Sequence, residues 1–218
     1  MNIERRQFSA ALLGAGLGAG ALGLGVPAAA QGGPVEGTHF VRLSQPLPAP
    51  AGGKIEVVEF FSYACPHCSA FEPTLEVWIK KLPPDVAFRR APVPFLQNAE
   101  NFQKLYFALE TMGQIDAMQR KVFYTLHVER ARLDKPADMA ALVAKQGIDA
   151  AKFLDVFNSF SVQTRARQAS QLSEAYKIDG VPAIGVHGRY YTSVSLTGSA
   201  DRALSVTDFL VERIRKGA

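Results

Sequence analysis

The chain has 218 residues, with 24 Lys and Arg against 20 Asp and Glu, a formal net charge of +4, and 48% hydrophobic residues. The basic excess is too small and too dispersed to suggest a nucleic-acid partner. A chain of this length buries a sizeable core as one domain, or as one domain with an insertion.

Residues 1–30 have the layout of a cleaved secretory signal peptide. Arg5 and Arg6 give a positive start, an apolar run diluted by glycine follows from Ala10 to Val26, and Ala28-Ala29-Ala30 offers small residues for cleavage. The adjacent arginines and the weak apolar run fit a twin-arginine export address, which is distinguished from the general secretory route only by that pattern. Without Glu4, Arg5 and Arg6 the remaining 188 residues carry 22 basic and 19 acidic side chains, a net +3. No later stretch has the ~18 continuous apolar residues of a membrane span.

Residues 31–53 are rich in Gly, Pro and Ala and read as a flexible start, with an apolar patch from His39 to Leu43 that suits an edge strand. Lys54 to Tyr63, KIEVVEFFSY, is β-branched and aromatic with little alternation, as in a central strand covered on both faces. Cys65-Pro66-His67-Cys68 follows at once. The next stretch has apolar residues at 71, 75, 78, 79 and 82, a helical spacing. The two cysteines therefore sit where a strand turns into a helix. Pro66 suits the first helical turn, and Pro73 is a kink signal. Val86 to Phe95 reads as a second strand ending among Pro92 and Pro94. From residue 98 to 165 the pattern is nearly all helical, with Gly113 and Gly147 as helix ends and Asp149 as a cap. Phe102, Tyr106 and Phe107 read as helical core. A long helix precedes GVPAIGVHGRYYT, two short strands turning at His187-Gly188, and an amphipathic helix closes the chain. Set aside residues 98–165, and segments 54–97 and 166–218 match the thioredoxin order. The expectation is an α/β thioredoxin-like fold with an inserted all-α subdomain.

Cys65 and Cys68 are the only cysteines. A structural staple gains most from closing a long loop, and this ring encloses only Pro66 and His67. A zinc site of this type normally brings a second ligand pair, and the remaining His39, His127 and His187 do not supply one at similar spacing. A metal-binding or metallochaperone module stays as the alternative from another class. A redox pair fits the position better. The N–H groups and dipole of a helix N-terminus lower a thiol pKa, and a stabilised thiolate is both a reactive nucleophile and a good leaving group. Cys65 is the nucleophile on this reading, and Cys68, one turn inward, is the shielded resolving thiol. His67 adds a positive charge or a hydrogen bond, or is simply a solvent-facing helix residue.

The stretch EFFSYACPHC, the later GVPAIGVHGRYY and the helical block between them resemble the DsbA family of thiol:disulfide interchange proteins, over about residues 38–216. The resemblance implies a periplasmic oxidase that donates its disulfide to newly exported polypeptides and needs no further cofactor. It implies reoxidation by a membrane quinone reductase of the DsbB type. A disulfide isomerase or reductase of similar fold is the nearer alternative. Such isomerases often carry a dimerisation domain, and with only residues 31–53 ahead of the first core strand a monomer is favoured.

Two further features gain meaning from the resemblance. By spacing alone Pro182 is an ordinary trans proline; the resemblance makes it a cis-proline facing the cysteines, with Val181 offering backbone groups to an extended substrate. Glu59 interrupts the apolar face of Ile55, Val57 and Phe61. If buried, its pKa should rise. It then either escapes at the strand end or, as the resemblance implies, moves protons at the resolving cysteine. Arg89 or Arg90 could pair with it. Glu56, on the opposite face, reads as solvated.

Overall fold

The computed structural model describes residues 32–48 and 52–217; the expected signal peptide lies outside them. Five strands form one sheet in the order β1-β5-β4-β2-β3. They are β1 (Val41–Arg42), β2 (Ile55–Phe61), β3 (Val86–Pro92), β4 (Ala183–Val186) and β5 (Tyr190–Ser193). β2 runs parallel to β3 and antiparallel to β4, and β5 is antiparallel to both β4 and β1. The run IEVVEFF is central because both of its faces are covered. Seven unpaired backbone units would be too costly inside, and β3 and β4 satisfy them from either side.

Alternation along β2 sends its side chains into two layers. Ile55 and Val57 pack with Phe71 and Leu75 of α1 (Pro66–Ile79) and Leu210 of α8 (Ala200–Arg215). Val58 and Phe60 face the other way, into a core shared with the helical block. That block comprises α2 (Ala99–Thr111), α3 (Ile115–His127), α4 (Pro136–Ala144), α5 (Ala150–Phe157) and α6 (Phe160–Ala175). Phe102, Tyr106 and Phe107 are buried in it. Asp149 caps α5 by accepting from the amides of Ala151 and Lys152. A short α7 (Val194–Thr197), which the sequence pattern does not announce, joins β5 to α8. This is the thioredoxin-like arrangement with helices inserted between β3 and β4. α6 runs across the expected boundary at 165/166, because Val162, Ala166 and Ala169 form one continuous buried stripe.

Two local features hold the β4–β5 hairpin. His187 and Gly188 both have positive φ, 52° and 65°, as a tight hairpin turn requires. Gly185 lies under the ring of Tyr176, where a Cβ would come within 2.5 Å of the ring, and the Tyr176 hydroxyl accepts from the Gly188 amide at 2.7 Å.

Candidate active site

The chain leaves β2 through Ser62, Tyr63 and Ala64 and turns into α1 at Cys65. The Cys65 amide donates to the Ser62 carbonyl at 3.1 Å, closing the turn. Cys65 is the N-cap: its backbone is extended and its sulfur accepts from the Cys68 amide at 3.4 Å. Pro66 occupies the first helical position, where a missing N–H costs nothing. The helix continues through Pro73.

The two sulfurs meet different surroundings. Both are free thiols here. Cys65 is 7% exposed and Cys68 fully buried, while Pro66 and His67 are exposed. The Cys65 thiol is lowered to about 6, first by a hydrogen bond from the Cys68 thiol and then, against partial burial, by the backbone amides of Cys68 and His67. The charge of His67 is the last of these causes. Burial drives the Cys68 thiol far up, with further pushes from Cys65 and Glu59. The Val181–Pro182 bond is cis, and the Cys65 thiol donates to the Val181 carbonyl at 3.5 Å. So the structure brings Cys65, Cys68, Pro66, His67, Val181 and Pro182 to one place.

Glu59 lies beneath, with no exposed surface. Desolvation by burial raises its carboxyl to about 7, against the attraction of Arg90. Arg90 stands opposite it in the β2–β3 register and donates from Nε to Glu59 Oε2 at 2.8 Å. Glu59 Oε1 has no hydrogen-bond partner among the described residues. Arg90 also donates from Nη2 to Glu72, a second buried acid, on α1. Arg89 points to the other face and holds Glu56 in a two-point pair at 2.8 and 3.2 Å. Glu56 is thus half-buried and paired rather than solvated, because the strand's second face is also covered.

Three neighbours of the pair escape a reading of the sequence. Glu72 has a signal in hindsight: it lies four residues after Cys68, so it interrupts the buried stripe of Cys68 and Leu75. Gln119 bridges the Tyr63 hydroxyl and Glu72, and the His127 ring bonds the Tyr63 carbonyl at 2.8 Å. Both come from α3, and no local pattern says that α3 packs on α1. Among the described residues no cluster of three or more His, Cys, Asp or Glu could hold a metal.

A dithiol with one ionisable, reachable sulfur and one sealed sulfur above a titratable acid is equipped for thiol–disulfide exchange. The family model described as a DSBA-like thioredoxin domain matches residues 92–205. The chain is 46% identical over 179 residues to the thiol:disulfide interchange protein DsbA of Bordetella parapertussis, covering 82% of this chain and 85% of that one. It is 40% identical to the protein of the same name from Burkholderia cepacia, covering 97% and 98%. The crystal structure of Pseudomonas aeruginosa DsbA superposes with a TM-score of 0.81 at 39% identity, covering 84% of this chain and 95% of that one. Nothing in these matches supports a metal-binding module. The exchange chemistry that the Cys65–Cys68 geometry allows is thus also that of its relatives: the chain belongs to the DsbA family and is a thiol–disulfide oxidoreductase.

Proposed function

We propose that the protein works in the periplasm, after removal of residues 1–30, as a monomeric oxidase of newly exported polypeptides. A substrate thiolate attacks Cys65 Sγ in the Cys65–Cys68 disulfide. The S–S bond breaks, a mixed disulfide forms at Cys65, and Cys68 leaves and takes a proton from Glu59. A second substrate thiolate attacks the substrate sulfur of that mixed disulfide, and Cys65 leaves as a thiolate. The substrate is then oxidised and the dithiol reduced. Reoxidation by a DsbB-like quinone reductase runs the same steps backwards: Cys65 attacks the partner's disulfide, Glu59 takes the Cys68 proton, and Cys68 closes the ring. Val181 and Pro182 seat the extended substrate beside Cys65, and Pro66 and His67 shape the rim.

The observation that carries this reading is the contrast between a Cys65 thiol lowered to about 6 and a sealed Cys68 thiol. A leaving group of low pKa favours giving the disulfide away over keeping it. The test is the reduction potential of the Cys65–Cys68 pair against glutathione. The oxidase reading expects a potential above the roughly −180 mV of protein disulfide isomerase. A value near or below about −270 mV, in the range of a cytosolic reductant, would sink it.

A further inference from the structure

Gln119 is a buried polar residue, 2% exposed, contributed by the helical block. Its amide has two different partners. Oε1 accepts from the Tyr63 hydroxyl at 2.6 Å, and Nε2 donates to Glu72 Oε2 at 3.3 Å. Tyr63 lies two residues before Cys65 and Glu72 four after Cys68. One side chain of the insertion therefore reaches both sides of the dithiol turn.

We propose that Gln119 is a positioning residue that decides which of the two buried acids carries the proton: by donating to Glu72 it holds that carboxylate ionised and leaves the proton to Glu59. The inference deepens the reading above, in which Glu59 exchanges a proton with Cys68, and its functional consequence rests on that reading.

The argument is one of donor supply. Arg90 is a single cation between two buried carboxylates. With both acids ionised the cluster holds an uncompensated negative charge in a desolvated site, so one of them takes a proton readily. An ionised carboxylate only accepts hydrogen bonds, so each donor aimed at it favours the ionised form. Glu72 receives two donors, Arg90 and Gln119. Among the described residues Glu59 receives one, and its Oε1 is unpartnered. The other groups facing the cluster do not reverse this. Burial raises the Glu72 carboxyl as it does that of Glu59, Arg90 and the Gln119 hydrogen bond draw it back down, and the smaller pushes of Glu76 on α1 and Arg120 on α3 oppose each other. The phenols of Tyr63 and Tyr106 and the Cys68 thiol are all raised by burial and stay neutral. The Tyr63 hydroxyl donates to Oε1, the end of the amide turned away from Glu72. Glu59 is the acid whose charge is felt at Cys68. The placement of the proton therefore matters for ring closure.

The experiment follows the carboxyl carbons of Glu59 and Glu72 by NMR in the reduced protein against pH, with Glu59→Gln and Glu72→Gln for assignment. In the unaltered protein, with the two carboxyls also assigned by through-bond correlation to their backbone amides, Glu72 is expected to titrate below Glu59; the reverse order overturns the inference by itself, even if the variants do not fold. Gln119→Met keeps the side-chain volume and removes the donor. It should raise the Glu72 midpoint by about one pH unit and lower that of Glu59. Tyr63→Phe loosens the same contact but leaves the donor facing Glu72, and should move both midpoints far less. Unchanged midpoints in Gln119→Met, a shift of both acids in one direction, or an equal effect from Tyr63→Phe would each overturn the assignment. A separate readout is the pH midpoint for Cys68 closing the ring on a Cys65–glutathione adduct. If the carboxyl midpoints move as expected and that midpoint does not, the proton role of Glu59 fails while the inference about Gln119 stands.

Discussion

Cys65 and Cys68 belong to the same helical turn, yet they live in two different regions of the molecule. Cys65 stands at the rim, among the exposed Pro66 and His67 and the carbonyl of Val181, with amides of the first turn aimed at its sulfur. Cys68 stands below, over the buried Glu59 and Glu72 and the mostly buried Arg90 that joins them. At the rim, hydrogen-bond donors outweigh partial burial and stabilise the thiolate. Below, burial dominates and the thiol stays protonated. Each unit of difference between the two is worth about 1.4 kcal/mol. The same chemical group is thus a readily ionised thiol or a protonated one according to one turn of helix. The lesson is that solvation and donor supply, rather than residue type, set the two thiols apart.

The sharpest way to break this contrast is to remove one sulfur at a time. Cys65→Ala should abolish disulfide transfer completely, since the remaining thiol is sealed and stays protonated. Cys68→Ala should accumulate mixed disulfides through Cys65, because nothing remains to release them. Mass spectrometry of adducts trapped in exporting cells reads this out. Adducts through position 68 in the first variant, and none in the second, would reverse the two regions.

A large effect on stability is expected next, from the lower region alone. Arg90→Met leaves two buried carboxylates without their cation, and breaking such a pair costs about 3–5 kcal/mol. The loss should be greater at pH 8 than at pH 5, because the stranded acids stay protonated in the fold while the unfolded chain ionises them. Denaturant melts at the two pH values measure it. The Cys65 titration should change little. A Cys65 midpoint that moves as far as the stability does would mean that rim and buried layer are not separate.

The third effect compares redox forms. Only the reduced protein has the Cys65 thiolate. Its folded pKa of about 6 lies below the ordinary 9.0. The sign is that of a depressed acid: the contribution is complete above the unfolded pKa and is lost as pH falls through the folded one. The stability of the reduced form relative to the oxidised form should therefore rise by about 2 kcal/mol between about pH 6 and pH 8. Taking the difference between forms largely removes the contribution of Glu59. That contribution has the opposite sign: its raised carboxyl loses stability as pH climbs from 4.5 toward about 7. A flat difference, or an oxidised form more stable at pH 8, would return the cysteines to the role of a staple.

The rim was largely legible in the sequence and the buried layer was not. Cys65, Pro66, His67 and Cys68 are contiguous, and the strand-to-helix junction around them follows from β-branched residues giving way to a 3.6-residue period. The hairpin turn at His187-Gly188 and the cap at Asp149 are equally local. Glu59 was visible as a charge on an apolar face. Its partner was ambiguous, because Arg89 and Arg90 are adjacent and only the β2–β3 register sends Arg90 to the same face. Glu72 breaks the buried helical stripe of Cys68 and Leu75, which is a local signal. Gln119 and His127 left no such trace. They arrive by the packing of α3 on α1, a long-range contact that depends on how the inserted helices fold among themselves. The cis bond at Val181–Pro182 came from the family resemblance, since spacing alone pointed to trans.

The smallest expected effect concerns His67, and it tests what governs the rim. The sequence pattern makes this residue a natural tuner of its flanking cysteines. Its charge is nevertheless the weakest of the influences that lower the Cys65 thiol. The hydrogen bond from the Cys68 thiol lowers the Cys65 thiol most, the backbone amides of Cys68 and His67 follow, and the His67 charge contributes least. His67→Leu keeps the backbone amide and removes only the charge, which acts from an exposed position where water and salt screen it. The Cys65 midpoint should therefore rise by less than about one pH unit, under a tenfold change in the thiolate-to-thiol ratio. Cys68→Ala removes the leading hydrogen bond and should raise the midpoint further. Ultraviolet absorbance of the thiolate against pH gives both values in one series, and repeating His67→Leu in concentrated salt should shrink its effect. If His67→Leu proves the larger of the two and resists salt, the rim is governed by a side-chain charge rather than by the closed ring of donors, and the separation between rim and buried layer loses its physical basis.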